Sequence, residues 1–238
     1  MSSFFHTIIS VPLYNGLIFL MHLLPFFDAG VIIIIFTIIV KMLMLPLSIK
    51  MSKSQLEMKS HEKALNEIKE KHKDNKEEHA RRQMEYYKEH GINPFASILI
   101  ILIQFPLLIG LYRVFLKSGL PKIDTTLLYS FVSAPAVVNM MFLGIIDISG
   151  KSLTLAVLVG ITTYFQTIYS AGAPSGENKD DIAKAFFLNM KYILPLVMAY
   201  VGYIISGAIA LYLITSNLFA IGQEIYIKRK YHKKVSVI

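Results

Sequence analysis

Long apolar runs constrain this chain more than any other feature of its sequence. Four of them begin near positions 29, 94, 152 and 190, and the last, residues 190–227, is long enough for two short helices. A helix of about 20 apolar residues crosses the roughly 30 Å of hydrocarbon in a bilayer. Because hydrophobic residues make up 54% of the chain and charged residues only 17%, the sequence predicts an all-α polytopic membrane protein with five transmembrane helices.

A block of charge separates the first two runs. Residues 52–90 hold ten Lys or Arg and nine Asp or Glu, which predicts a pair of charged helices that breaks near residues 72–75 and ends at Gly91. The chain also carries a basic stretch, KRKYHKK, at residues 228–234. Because positive charge is retained in the cytosol, we predict that this helical hairpin and the tail are both cytoplasmic. The net charge of +8 then reflects membrane orientation and not specific nucleic-acid binding.

A further apolar segment, residues 127–146, is long enough to count as a span by hydropathy. Pro135 and Asn139 interrupt it, and a sixth span would place the basic tail outside, against the positive-inside bias. We therefore predict an external, partly embedded loop. An amino-terminal stretch interrupted by Asn15 and Pro25 is predicted to lie on the outer leaflet as an interfacial helix, with the N-terminus outside. The predicted order is the interfacial helix (1–28), transmembrane helix 1 (29–50), the charged hairpin (51–92), transmembrane helix 2 (93–116), the external loop (117–151), transmembrane helix 3 (152–171), a cytoplasmic loop (172–188), transmembrane helices 4 (189–205) and 5 (206–227), and the basic tail (228–238).

A lysine lies inside the first run and not at its end. Lys41 is about 18 Å along a helix from residue 29 and about 12 Å from the cytosolic end, where a charged side chain costs roughly 2.5–3.5 kcal/mol on insertion scales. It can snorkel to the headgroups, although its stem spans only about half that distance. Thr37 and Ser48 share its helical face, and residues 29–49 contain no Asp or Glu. This pattern favours a second explanation, in which water surrounds the ammonium group.

Polar residues recur at helical spacing in the other runs. Gln104 stands among apolar neighbours in the second run, where it either lines a cavity or packs helices together. Ser206 and Asn217 are assigned to helix packing, because small residues and amides join membrane helices. We predict a hydrophilic groove that is open to the cytosol. Its predicted lining is Lys41, Thr37, Ser48, Gln104, Thr163, Gln166, Thr167, Tyr212 and Ser216.

Three segments resemble a known family. They are FTIIVKMLMLPLSIK at residues 36–50, NPFASILIILIQFPLLIGLY at residues 93–112 and ALYLITSNLFAIGQ at residues 210–223. In this order, with a charged hairpin between the first two, they are similar to the YidC-type membrane protein insertases and their mitochondrial and chloroplast relatives. The resemblance covers about residues 12–227. The family's groove cation is usually Arg, whereas Lys41 keeps the charge but lacks the planar guanidinium.

The resemblance implies a function and a set of partners. An insertase or chaperone of this type would pass polar segments of small membrane proteins through the groove. It would then release their helices into lipid along an apolar slide, which would comprise Ile103, Leu107 and Met198 here. The implied partners are nascent membrane-protein substrates, the translating ribosome, the lipid bilayer and, as an open question, the Sec translocon. The implied location is the bacterial plasma (inner) membrane, with a cytoplasmic C-terminus and no cofactor or metal.

Two other functions fit parts of the pattern. A small anion or solute transporter could use Lys41 as its binding cation, but we find no internal repeat and no paired broken helices. An assembly scaffold without insertion activity is also compatible with the pattern. An enzyme is disfavoured, because the sequence has no Gly-rich phosphate loop, no metal-ligand pair on one helix and no Ser/His/Asp set within the spans.

Overall fold

A computed structural model describes residues 6–93, 109–110, 120–171 and 188–235 of the chain, and these residues are predominantly helical. Short π-helical turns at His6–Ser10 and Asn189–Ile193 lead into two of the helices. Two antiparallel strands, β1 (Met141–Phe142) and β2 (Ile146–Asp147), form a small hairpin. The helices in the described ranges are α1 (Val11–Leu23), α2 (Ala29–Ser60), α3 (Glu62–Lys71), α4 (Lys76–Glu89), α5 (Leu153–Ala171), α6 (Leu194–Ile204) and α7 (Gly207–Val235).

Helices α2, α5 and α7 are long and apolar enough to cross a membrane, judged by length and composition. Helix α7 lies between α2 and α5 and packs along both, while α6 packs along α5. Two glycines allow α5 and α6 to approach closely, because a Cβ at Gly160 would lie 3.1 Å from Ala199 and a Cβ at Gly202 would lie 3.2 Å from Val159. Small residues at helix interfaces are typical of membrane proteins.

Helix α2 does not end where its apolar residues end. It continues past residue 50 and ends at Ser60, because residues 51–60 contain neither Gly nor Pro and polar residues such as Lys, Gln and Glu are good helix formers. Helix α7 likewise continues through most of the basic tail to Val235. The boundaries predicted at residues 50 and 227 therefore mark a change of composition, and the helices run beyond both.

Helices α3 and α4 pair as a hairpin. The turn between them comprises residues 72–75, which is where the sequence predicted the break. Asn75 caps α4, because its side-chain oxygen accepts a hydrogen bond from the N–H of Glu78 (3.1 Å). No residue of either helix is buried.

Residues 120–152 form an irregular cap on the helices. They contain a 3-10 turn, Thr125–Leu127, and the β-hairpin, so residues 127–146 do not form a membrane-spanning helix. The buried core includes Val132 and Ile148 from the cap together with side chains of α1, α2, α5 and α7. Predicted transmembrane helix 2 and the loop at residues 172–188 lie almost entirely outside the described residues.

Candidate functional site

Helices α2, α5 and α7 start at the same end of the bundle. The N–H of Ala29, at the start of α2, donates to the carbonyl of Asn139 (2.8 Å), and the N–H of Gly207, at the start of α7, donates to the carbonyl of Gly150 (2.8 Å). Helix α5 begins at Leu153, just after Gly150. The three helices therefore run in the same direction from one end, which we call the capped end.

Predicted polar residues on these three helices lie at comparable depth. At 1.5 Å per residue, Lys41 is about 18 Å along α2, Thr163 about 15 Å along α5 and Ser216 about 14 Å along α7. Because α7 packs along both α2 and α5, these residues lie at a similar level of the bundle.

The polar row on α2 is partly enclosed. Thr37 is buried, and its hydroxyl donates to the carbonyl of Ile33 (2.7 Å), so its hydrogen bond is satisfied within its own helix. Lys41 and Ser48 are half-buried, and Lys41 has an interaction within the chain. The Lys41 residue as a whole is therefore neither fully buried nor fully exposed.

The polar row on α5 is in contact with Asn217, the residue of α7 that was assigned to helix packing. The side-chain amide of Asn217, on α7, donates to the hydroxyls of Thr163 (2.9 Å) and Thr162 (3.2 Å) on α5. This contact confirms the helix-packing role predicted for Asn217. Tyr212 and Ser216, also on α7, are buried.

The two remaining predicted residues of α5 are bonded within that helix. Thr167 is buried, and its hydroxyl donates to the carbonyl of Thr163 (2.9 Å). Gln166 is half-buried and donates to the hydroxyl of Ser170 (3.2 Å). Gln104 lies outside the described residues.

The start of α2 is closed by the β-hairpin of the cap. One carboxylate oxygen of Asp28 accepts from the N–H of Val31 in α2 (3.0 Å), and the other accepts from the N–H of Leu143 in the hairpin turn (3.1 Å). The ring of Phe142 lies directly on Gly30, where a Cβ would be 2.4 Å from Cδ2 of that ring. Only glycine fits at this contact.

The start of α7 is covered by Ile148, the residue that follows strand β2. Ile148 is fully buried, and its carbonyl accepts from the N–H of Ala208 (3.0 Å). A Cβ at Gly207 would lie 2.8 Å from the Cα of Ile148. The backbones of the cap and of α7 are therefore in direct contact.

Helix α1 is fastened to the same cap. The side-chain amide of buried Asn15 donates to the carbonyl of Leu127 (2.8 Å), and its oxygen accepts from the N–H of Tyr129 (2.6 Å). The hydroxyl of Tyr14 accepts from the N–H of Asp124 (2.7 Å). The cap is thus bonded to α1, α2 and α7.

The opposite end of the bundle, which we call the hairpin end, carries α3, α4 and the basic end of α7. Here the hydroxyl of Ser52, on α2, donates to the carboxylate of Glu224, on α7 (2.8 Å), and both residues are buried. Sequence reasoning missed this pair, because the two residues are 172 positions apart. The sequence did carry one signal for it, because Glu224 is the first acidic residue after residue 189 and follows a long uncharged run that only Lys191 interrupts.

Within the hairpin, three rings and one carboxylate have specific contacts. Nδ1 of His61 lies 2.8 Å from the hydroxyl of Tyr86, whose ring stacks on that of His90 at 4.0 Å between centroids. Hydrogen bonds from Arg81 and then Arg82 lower the pKa of Glu78 to about 2. No group of three or more metal-ligating side chains occurs in the parts of the chain that the structure describes.

The predicted slide is described at one position. Met198 is half-buried and packs on the core from α6, whereas Leu196 and Tyr200 beside it are 71% and 65% exposed. Ile103 and Leu107 lie outside the described residues. At 100° per residue, Leu196 and Tyr200 lie on the opposite side of α6 from Met198, so the exposed apolar face of the helix does not include Met198.

Comparison with known proteins gives a consistent set of matches. The family model described as 60Kd inner membrane protein matches residues 20–234. The protein named "Membrane protein insertase YidC" of Clostridium tetani is 30% identical over 205 residues, which cover 86% of this chain and 84% of that protein. Its namesake in Fusobacterium nucleatum is 31% identical over 201 residues, covering 84% of this chain and 86% of that protein. "Membrane protein insertase YidC 2" of Listeria innocua is 30% identical over 206 residues, covering 85% and 64% respectively.

Proposed function

We propose that this chain, which belongs to the 60Kd inner membrane protein family, is a membrane protein insertase. The family assignment confirms the resemblance found in the three sequence motifs. The observation that carries the function is the match to proteins named membrane protein insertase over more than four-fifths of this chain. The comparisons give no support to the transporter alternative.

The polar rows of α2, α5 and α7, with predicted transmembrane helix 2, form the hydrated groove in this proposal. Closure at one end is supported by the hydrogen bonds that join the cap to α1, α2 and α7. Opening at the other end is supported by the exposed hairpin, in which no residue of α3 or α4 is buried. A groove with this shape lets a polar segment enter from the cytosol and shortens the hydrocarbon that it still has to cross.

Lys41 supplies the attraction that draws an acidic segment into the groove. Two opposite charges 4 Å apart attract by about 1 kcal/mol in bulk water and by about 4 kcal/mol at the effective dielectric of a protein surface. Because Lys41 is half-buried, the second value applies to it in this proposal. The attraction is strong enough to retain a tail briefly and weak enough to release it.

The substrate helix leaves the groove along the apolar face of α6. Leu196, Val197 and Tyr200 are exposed on that face, Met198 packs on the core from the other side of the helix, and Ile103 and Leu107 are proposed to complete the slide. A helix of about 20 apolar residues is stable in lipid, so its release needs no bond cleavage and no nucleotide.

The remaining partners and the orientation follow from the same arrangement. The charged hairpin and the basic end of α7 are placed in the cytosol of a bacterium by the positive-inside bias, and the cap and the N-terminus face outside the plasma membrane. The hairpin is then positioned to meet nascent chains at the translating ribosome, and the Sec translocon is a further partner to test.

The test replaces the groove cation. In cells depleted of their own insertase, the unaltered chain and Lys41→Arg are expected to restore growth, Lys41→Ala to restore it partly and Lys41→Glu to fail. Lys50→Glu is the matched control, because Lys50 is exposed on the same helix nearer the hairpin end. Full complementation by Lys41→Glu would remove the electrostatic step, and failure of the unaltered chain would remove the insertase function itself.

A second measurement tests the groove. The chain has no cysteine, so single cysteines at positions 37, 41 and 48 can be labelled cleanly. We expect a water-soluble reagent to reach positions 41 and 48 from the cytosolic side. If both positions are unreactive from that side, no hydrated groove surrounds Lys41.

A further inference from the structure

Two adjacent turns at the capped end of the bundle carry exposed apolar side chains. Phe26 and Phe27, in the turn between α1 and α2, are 93% and 50% exposed, and Leu143 and Ile145, in the turn of the β-hairpin, are 62% and 78% exposed. We call these four residues the apolar prong. Exposed apolar side chains that lie together mark sites of contact with a protein, a ligand or a membrane.

The two turns of the prong are held together as one unit. Asp28, the residue after Phe27, accepts a hydrogen bond from the N–H of Leu143 (3.1 Å). The ring of Phe142 is packed on Gly30 at the start of α2. Because these contacts attach the hairpin turn to the helix start, the four side chains have a fixed position relative to α2.

The prong carries little charge that would oppose entry into lipid. Both carboxylate oxygens of Asp28 accept backbone N–H bonds, one from Val31 and one from Leu143. The stretch from Met141 to Ile146 contains no charged residue. The polar atoms of the prong are therefore largely those of the backbone, and the turn of the hairpin satisfies several of these internally.

The position of the prong is set by the length of the membrane helix. From residue 29 to residue 50, α2 rises about 32 Å, which matches the roughly 30 Å thickness of the hydrocarbon. The start of α2 therefore lies at the boundary between hydrocarbon and headgroups, and the prong adjoins this boundary. Aromatic and aliphatic side chains of membrane proteins commonly enter the bilayer at this level.

We propose that the apolar prong is a lipid-binding element that inserts into the leaflet at the capped end and anchors the cap there. The occupant is the upper acyl region of that leaflet, about 5–10 Å below the headgroup boundary. This role lies beyond insertion itself, because it requires only that α2 spans the membrane. An anchored cap stays seated on the helix starts that it closes.

Depth-dependent quenching of tryptophan fluorescence tests this placement, since the chain contains no tryptophan. The full chain carrying Phe26→Trp or Ile145→Trp is reconstituted in vesicles that contain lipids brominated either high on the acyl chain or near its end. Both substituted residues are exposed, so folding is expected to be retained. We expect blue-shifted emission and stronger quenching by the shallow bromines.

Two further variants calibrate the depth scale. Ile161→Trp, on the exposed stripe of α5, is expected to respond more to the deep bromines, and Lys73→Trp, in the exposed turn of the charged hairpin, is expected to respond to neither. Prong variants that behave like Lys73→Trp would overturn the proposal. Blue-shifted emission without quenching by either lipid would also overturn it, because a protein surface would then cover the prong. Neither outcome depends on insertion activity.

Discussion

The two ends of the helix bundle are built in opposite ways. At the capped end, residues 120–152 bond to α1, α2 and α7 and bury Ile148 completely. At the hairpin end, α3 and α4 have no buried residue, and the buried side chains of Ser52, Glu224 and Ile227 there belong to α2 and α7. The same membrane helices thus connect a closed end to an open one.

This difference indicates which parts of the molecule can open. Regions with many buried contacts open only with most of the global free energy of unfolding, whereas exposed elements with few buried contacts open readily. A barrier against leakage of solutes across the membrane suits the capped end, and the entry of a substrate suits the hairpin end. The asymmetry therefore supports the direction of entry proposed above.

The largest effect is expected from breaking the closed end at Gly207. Gly207→Val forces side-chain atoms against the backbone of Ile148, only 2.8 Å from the position of a Cβ, and overpacking of this kind costs about 3 kcal/mol at the upper end of its usual range. The expected result is a lower thermal unfolding temperature in detergent and faster hydrogen exchange in residues 139–150.

Gly222→Val is the matched control for this change. Gly222 lies on the same helix, and a Cβ there would meet no atom within 4 Å. Equal loss of stability in the two variants would mean that helix propensity explains the effect, and the cap would then not depend on close contact at Gly207.

A smaller effect is expected from breaking the hydrogen bond between Ser52 and Glu224 at the hairpin end. Ser52→Ala leaves the buried carboxylate of Glu224 without its hydroxyl donor, and a hydrogen bond to a charged group is worth about 1.5–3 kcal/mol. We expect a loss of stability within this range. The measurement is chemical unfolding in detergent together with hydrogen exchange at the hairpin end.

Ser60→Ala provides the comparison for Ser52→Ala. Ser60 is exposed at the end of the same helix and donates only to the carbonyl of Glu57. If Ser60→Ala destabilised α7 as much as Ser52→Ala, the Ser52–Glu224 contact would not be what joins α2 to α7.

The smallest effect is expected within the hairpin itself, at Glu78. Because the arginines hold the pKa of Glu78 at about 2, below its unfolded value of about 4.3, its contribution is present above the unfolded pKa and is lost as the pH falls through the folded pKa. Glu78→Gln should therefore speed hydrogen exchange in α4 at neutral pH but not at the acidic end of this window.

Glu77→Gln controls for the position of the charge in the first turn of α4. Both residues are acidic in that turn, so both interact favourably with the helix dipole, but of these two only Glu78 has described ion pairs to Arg81 and Arg82. An identical response of the two variants would show that the arginine contacts contribute nothing measurable.

Much of this architecture could be predicted from local patterns. Hydropathy located α2, α5 and α7, and helical spacing put Thr37 on the same face as Lys41, because both properties depend on neighbouring residues. The turn at residues 72–75 was predicted for the same reason. The ends of α2 and α7 were not predicted, because polar residues continue a helix as readily as apolar ones when no Gly or Pro interrupts it.

The cap illustrates what local patterns miss. Its prediction as a loop relied on charge bias and on Pro135 and Asn139, which gave no indication of its partners. Asn15 was treated as an interruption of an interfacial helix, yet it bonds to Leu127, 112 positions away. Asp28 was not singled out, yet it joins the start of α2 to Leu143.

The sequence by itself determined which segments are apolar enough for the membrane and that one lysine lies among them, because hydrophobicity and helical period are properties of consecutive residues. Only the tertiary structure decided that the bundle is closed at one end and exposed at the other. That outcome depends on hydrogen bonds and close backbone contacts between segments far apart in the chain, and their geometry exists only once the helices have packed.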